Sequence, residues 1–190
     1  MSTTTLSTRT TWDIDTSHSS VGFTVRHLVI SKVHGRFTRW SGTLVLDPAH
    51  PAGSSIEARI ETASIDTTEP KRDAHLRSPD FFDAEKNPEL TFRSTGVRPA
   101  GDQRYELAGD LTMHGVTRPV VLQVEALGQA KDPWGAERVG FSARTAIDRR
   151  DFGLTWNQAL ETGGVMVGEK VEIAIEIEAV KRAEPPAATA

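Results

Sequence analysis

The chain has 190 residues and no cysteine. Disulfide frameworks, thiolate zinc sites, iron–sulfur clusters and cysteine nucleophiles are therefore excluded, and any metal ligands would be histidines and carboxylates. Cations are fewer than anions, with 22 Lys and Arg against 26 Asp and Glu, and they form no block able to neutralise a run of phosphates. This balance disfavours nucleic-acid binding, so we expect no nucleic-acid partner.

A long apolar run is also lacking. No segment approaches the roughly 18 consecutive apolar residues of a membrane span, and the N-terminus shows no apolar signal-peptide core of about 7–15 residues. We therefore expect a cytoplasmic protein without stable membrane insertion. The length fits one domain, because domains usually hold about 100–200 residues. It would comprise residues 11–181, between a flexible N-terminus (1–10) and a disordered tail (182–190).

Hydrophobic residues recur with a period of two. Val21, Phe23 and Val25 alternate with other residues, and Val171 to Ile177 show the same pattern against glutamates and alanine. Such alternation is typical of half-buried antiparallel strands. It predicts eight strands, near residues 13–28, 33–47, 54–65, 89–98, 103–114, 117–128, 137–147 and 170–180. Long strands favour a closed barrel over a sandwich, because closure removes exposed edges.

Two stretches break this pattern. Residues 67–77 have a threonine cap candidate and a proline in the first turn, which predicts a short helix ending before Ser78-Pro79. Residues 148–169 form an unusually long connection that contains Trp156, and we interpret it as a lid.

The sequence offers only weak candidates for a metal site, a cofactor site or catalytic residues. The six histidines show no metal-binding spacing, and Gly-x-Ser-x-Gly is absent, so we expect neither a metal nor a cofactor. Asp73 and His75 could serve in acid–base catalysis, but residues two apart on a helix point in different directions and would need partners elsewhere. An enzyme using this pair stays an alternative to a binding protein.

The barrel interior is the remaining feature to interpret. An eight-stranded barrel is either filled by its own side chains or leaves room for one small ligand, and parity alone does not separate the two. A filled barrel with a protein-binding surface is therefore a further alternative. The candidate inward residues from strands and loops, which would line a ligand cavity, are Val21, Phe23, Val25, Phe37, Ile56, Ile60, Phe81, Phe82, Phe92, Leu111, Met113, Phe141 and Phe152.

Several collinear motifs together resemble the YceI-like family. They are Trp12-Asp13-Ile14-Asp15, Arg72-Asp73-x-His75-Leu76-x-Ser78-x-Asp80-Phe81-Phe82-Asp83, Gly109-x-Leu111-Thr112-Met113-His114-Gly115 and Arg149-x-Asp151-Phe152-Gly153. The resemblance implies an all-β, extended, eight-stranded antiparallel lipocalin-like barrel with a short helix at one end, usually as a homodimer. It also implies a hydrophobic tunnel for one long lipid chain.

The ligand implied by the resemblance is a polyisoprenoid, such as a polyprenyl diphosphate or a quinone precursor, or a fatty-acid-type lipid in some relatives. No enzymatic reaction is implied. A diphosphate head group would need cations or backbone donors at the tunnel mouth, and the candidates are Arg72, His75, Arg149 and Arg150. The alternative role of these four residues is to form structural salt bridges at the barrel end.

Overall fold

A computed structural model describes residues 9–28, 30–161 and 163–183 of the chain. Strands dominate it, and the described residues contain one α-helix, α1 (Pro70–Arg77). The strands are β1 (Thr10–Ile14), β2 (Ser20–His27), β3 (Ser31–Phe37), β4 (Trp40–Leu46), β5 (Ser55–Glu61), β6 (Ile65–Asp66), β7 (Glu89–Gly101), β8 (Arg104–Met113), β9 (Val116–Lys131), β10 (Glu137–Asp148) and β11 (Val167–Lys181).

Eight strands close into an antiparallel barrel. The order β1-β4-β5-β7-β8-β9-β10-β11 returns to β1, because Trp12 lies opposite Leu44 of β4 on one side and Lys181 of β11 on the other. The predicted eight-stranded antiparallel barrel is thus confirmed. Closure gives each of these eight strands a partner on both sides, which limits pairing with other chains.

Three of the eight predicted segments are each divided into two strands, which accounts for eleven strands in all. Segment 13–28 becomes β1 and β2, segment 33–47 becomes β3 and β4, and segment 54–65 becomes β5 and β6. At the first break, Ser19 Oγ donates to Glu178 O (3.2 Å) and accepts from Glu178 N (2.9 Å). The side chain of Ser19 thus takes the place of backbone pairing at this point. β11 pairs with β2 from Val167 to Glu176 and with β1 from Ala179 to Lys181.

Helix α1 lies between β6 and β7 in the chain, and these two strands are not neighbours in the sheet. It begins later than predicted. Its cap is Glu69, whose carboxylate accepts from the N–H groups of Lys71 (3.3 Å) and Arg72 (2.7 Å), so the predicted threonine cap is wrong. Pro70 occupies the first turn, where no N–H is required, and the helix ends before Ser78-Pro79 as predicted.

Alternation along the strands produces two apolar clusters inside the barrel. One lies toward α1 and includes Phe37, Ile65 and Phe152; the other lies around Trp12 and Ala179. The clusters leave space between the strands, which the next subsection describes.

The predicted terminal segments are only partly described. Thr10 is the first residue of β1, and Arg182 N donates to Thr11 O (2.8 Å). Residues 1–8 and 184–190 lie outside the described residues. Within the described part of the chain, α1 is too short and too polar to cross a membrane.

Candidate functional site

A cavity of about 890 Å³ runs inside the barrel. It reaches from Leu76 of α1 at one end to Pro48 and Pro51, in the turn after β4, at the other. Its wall is built from inward-facing side chains of all strands except β1 and β6. The barrel is therefore not filled, and the alternative of a filled interior is wrong.

Twelve of the thirteen residues predicted to line a ligand cavity lie on this wall. They are Val21, Phe23, Val25, Phe37, Ile56, Ile60, Phe81, Phe82, Phe92, Leu111, Met113 and Phe141. Phe152 does not lie on the wall. It ends a 3-10 turn (Arg149–Phe152) and is 1% exposed within the apolar cluster nearest α1, where its carbonyl accepts from the His114 ring (3.2 Å). Phe152 is therefore a core residue.

Three rings form a cluster on the cavity wall at the α1 end. His75 lies edge-on to Phe81 and to Trp156, with ring centroids 5.0 Å and 4.7 Å away, and Phe81 lies 5.2 Å from Trp156. The cluster joins α1 and the connection after it to the long β10–β11 connection. Trp156 was not among the predicted site residues, although its position in that connection was the signal that could have identified it.

The cations at the α1 end have different surroundings. Arg72 lies on the cavity wall and binds Thr67, with Nε donating to Oγ1 (2.8 Å) and Nη2 to the carbonyl oxygen (2.8 Å). Arg150 does not lie on the wall. Its guanidinium pairs on the barrel exterior with Asp148 (2.6 Å) and Glu169 (2.8 Å). The structure thus places Arg150 in the alternative role, as a structural salt bridge.

Arg149 is a buried cation on the cavity wall, 4% exposed. Its guanidinium donates to the carbonyl oxygens of Gly168 (2.9 Å), Trp156 (2.9 Å) and Leu154. Burial lowers the pKa of this guanidinium from its usual value, yet an arginine remains charged in a protein. The groups in direct contact with this cation are carbonyl oxygens, and the charges of Asp148 and Glu169 also favour its charged form. An anionic group in the adjoining cavity would stabilise the cation further.

Asp73 and His75 form hydrogen bonds with different partners. Asp73 Oδ1 accepts from Thr67 N (2.9 Å) and from the Thr67 hydroxyl, and it is buried. His75 Nε2 is 2.8 Å from Asp80 Oδ2. Each group has its own partner, and Asp73 anchors the beginning of α1 to the end of β6.

The opposite end of the cavity is less basic. The turn after β4 places Asp47, Ser54 and Ser55 on the wall there, and Asp47 is buried with its carboxylate accepting from His50 N (3.0 Å). Asp47 also lies 3.6 Å from Arg9 Nε, so its charge is paired, whereas the α1 end carries Arg72 and Arg149 together with Glu69.

Among the residues that the structure describes, one group of side chains has metal-like spacing. Asp15, His18 and Glu178 each offer a ligand atom within 4.8 Å of the others. The guanidinium of Arg138 already donates to both carboxylates of this group. A cation of the protein therefore occupies the position that a metal ion would need.

Residues 12–179 match the family model of the YceI-like domain. The chain belongs to the YceI-like family. This YceI-like chain is 43% identical over 143 residues to a UPF0312 protein of Vibrio cholerae, covering 74% of this chain and 76% of that one. It is 38% identical over 170 residues to protein YceI of Escherichia coli O157:H7, covering 90% and 85%.

Solved structures show the same architecture. Burkholderia cenocepacia BcnA superimposes with a TM-score of 0.78 at 25% identity, covering 87% of the YceI-like chain and 99% of BcnA. A polyisoprenoid binding domain from Saccharophagus degradans superimposes with a TM-score of 0.68 at 15% identity, covering 90% and 98%. At that identity, the second comparison shows a common fold.

Proposed function

We propose that this protein binds one long-chain isoprenoid lipid inside the barrel and sequesters or carries it without converting it. The observation that carries the proposal is the cavity of about 890 Å³, whose wall is built mainly from aliphatic and aromatic side chains. A cavity of this kind suits a hydrocarbon chain. The Saccharophagus degradans domain of the same fold, which is described as polyisoprenoid binding, supports this choice of ligand.

Hydrophobic transfer alone does not explain selective binding of such a lipid. Burying a CH₂ group contributes about 0.8 kcal/mol relative to water, but a membrane already shields the chain from water. The net gain on moving from membrane to protein is therefore small. Cavity shape and contacts with the polar head must determine which lipid is retained.

We further propose that the head group is anionic, as in a polyprenyl diphosphate or a charged quinone precursor, and lies at the α1 end. Arg72 and Arg149 lie on the cavity wall there, and His75 adds a polarisable ring. Homodimerisation and a cytoplasmic location stay predictions of the sequence.

The first experiment is native mass spectrometry of protein purified without detergent, followed by organic extraction of any bound molecule. We expect one long-chain isoprenoid per chain. A protein that is empty and also fails to bind added geranylgeraniol would overturn the proposal.

A pair of arginine variants then tests the head-group position. Arg72→Gln should reduce the preference for geranylgeranyl diphosphate over geranylgeraniol, because it removes a cation from the cavity wall. Arg150→Gln removes the same charge from the exterior and should leave the preference unchanged. An equal effect of both variants would show that only overall charge matters.

The geometry supports binding over catalysis, because Asp73 and His75 are engaged with different partners. Incubation with geranylgeranyl diphosphate should therefore release no pyrophosphate. Release that disappears in Asp73→Asn, with lipid binding retained, would establish the enzyme alternative instead.

A further inference from the structure

Backbone pairing between β9 and β10 covers only part of the two strands. Their residue pairs run from Glu137↔Lys131 to Arg144↔Gln123 and end there. Both strands continue toward the α1 end, β9 back to Val116 and β10 on to Asp148, with no further pair between them among the residues described. We call residues 119–122 and 145–148 the seam.

Each strand of the seam is firmly held on its other side. β9 pairs with β8 down to Met113↔Val116, and β10 pairs with β11 down to Asp148↔Lys170. Separating the two strands at the seam would therefore leave both outer ladders intact. Separating any fully paired neighbours would instead break backbone hydrogen bonds residue after residue.

Side chains replace backbone pairing at the seam. The Thr145 hydroxyl donates to Val121 O (2.8 Å), and Arg118 Nε donates to Asp151 O (3.1 Å), just beyond the end of β10. The first bond shows that the carbonyl of Val121 points toward β10. Two side-chain contacts thus bridge the strands where a ladder would otherwise continue.

A proline within β9 keeps the ladder from resuming closer to α1. Polar backbone groups of a strand alternate between its two neighbours, so those of residue 119 point to the same side as those of Val121. That residue is Pro119, which still lies opposite Asp110 of β8 but has no N–H to offer to β10. The loss of this backbone donor is therefore a property of the sequence.

The inner side of the seam is cavity wall. Val120 and Leu122 of β9 and Thr145 and Ile147 of β10 all line the cavity. On the outer side, Val121 is 47% exposed. The seam is thus the place where a short, weakly tied part of the wall separates solvent from the lipid cavity.

We propose that the seam is a lateral portal through which the hydrocarbon chain of the ligand enters and leaves the cavity. This inference rests on the proposed function, since it needs a lipid that occupies the barrel. The Thr145 and Arg118 contacts close the portal at rest, and their release lets β9 and β10 part locally.

Cross-linking across the seam tests the portal, and the absence of cysteine makes labelling specific. Val121→Cys with Ala146→Cys places thiols on the exposed side of the two strands, where a short, reductively cleavable bis-maleimide joins them. The matched control is Val121→Cys with Ala108→Cys, because Ala108 lies opposite Val121 in the intact β8–β9 ladder. Both variants replace Val121 and one alanine.

The probe is all-trans-retinol, an isoprenoid alcohol whose fluorescence rises in apolar surroundings, and its uptake and release are followed by stopped flow. We expect the seam cross-link to slow both rates at least about tenfold with little change in affinity, and reduction to restore them. The control cross-link should leave both rates as in the wild type.

Equal rates in the two cross-linked proteins and in the wild type would overturn the portal while leaving lipid binding intact. Equal slowing by both cross-links would also overturn it, because general stiffening of the barrel would then be the cause. A wild-type protein that takes up neither retinol nor geranylgeraniol would overturn the proposed function itself, and the portal with it.

Discussion

The ring of Phe23 lies over Gly35, the residue directly opposite it in the β2–β3 pair. A Cβ atom at position 35 would overlap the ring carbons. Because Phe23 also lines the cavity, the ring occupies the layer between the β3 backbone and the cavity. The ring of Phe92 also lies over a glycine, Gly109, which is diagonal to it in the β7–β8 pair. Glycine on one strand thus makes room for an aromatic ring on the cavity wall.

Gly35→Ala should therefore narrow the cavity by displacing the Phe23 ring. Overpacking of this kind typically costs about 1–3 kcal/mol, and we expect part of it to appear as weaker retinol binding. Binding is measured by fluorescence titration. The control is Gly96→Ala, since a Cβ at position 96 has nothing within 4 Å. Unchanged binding in Gly35→Ala would show that the ring can move without entering the lipid volume.

Phe152 is a core residue and Phe141 is a cavity-wall residue, so their substitution should have different effects. Phe152 is 1% exposed, so Phe152→Ala should lower the free energy of unfolding by about 3–5 kcal/mol. Phe141 lines the cavity, and Phe141→Ala should reduce lipid occupancy more than it reduces the melting temperature. Phe23→Ala should behave as Phe141→Ala does. Urea unfolding and native mass spectrometry provide the two measurements, and the reverse ranking would show that Phe141 is an ordinary core residue.

The barrel could be predicted because period-two alternation is a local property of the sequence. The division of the first strand could not, since it depends on Ser19 bonding to Glu178, 159 positions away. The helix start was misplaced for a similar reason. Thr67 looked like a cap, but its hydroxyl is used by Asp73 and Arg72, and Glu69 caps the helix.

The residues of the cavity wall could largely be predicted from side-chain parity, but the existence of a cavity could not. Whether facing side chains meet or leave a space depends on the diameter of the closed ring, which no single strand encodes. The adjacent cations Arg149 and Arg150 show the same limit. Arg149 is buried and donates to carbonyl oxygens of the β10–β11 connection and of the start of β11. Arg150 pairs with acidic residues on the exterior.

Asp73 offers a test of how α1 is attached to the barrel. Its carboxylate accepts from both the N–H and the hydroxyl of Thr67, and Asp73→Ala would leave these two buried donors without an acceptor. We expect the free energy of unfolding to fall by about 1–3 kcal/mol. Hydrogen exchange should show faster amide exchange at Thr67 and in α1. Protection unchanged there would mean that the hydrogen bonds of Arg72 to Thr67 O and of Arg77 to Ile65 O are enough to hold the helix in place.

Acid should weaken a cluster of charges around Arg138. Hydrogen bonds from Ser17, then from His18 and Arg138, hold the pKa of Asp15 well below its usual 3.8. The hydrogen bond from Arg138 also lowers the pKa of Asp132. A carboxyl with a depressed pKa in the folded state stabilises it above the usual pKa, and this stabilisation is lost as pH falls through the folded value. Stability should therefore decline from about pH 4 downward.

Arg138→Gln tests this cluster, because it removes the cation shared by Asp15, Asp132 and Glu178. The variant should be less stable than the wild type near neutral pH, and the difference should shrink in acid as the carboxyls become protonated. The measurement is urea unfolding across the acid range. Arg93→Gln is the control, since Arg93 pairs only with the exposed Glu57 among the described residues and should give a small, nearly constant difference. A constant deficit in Arg138→Gln as well would assign the loss to the packing of its side chain rather than to its charge.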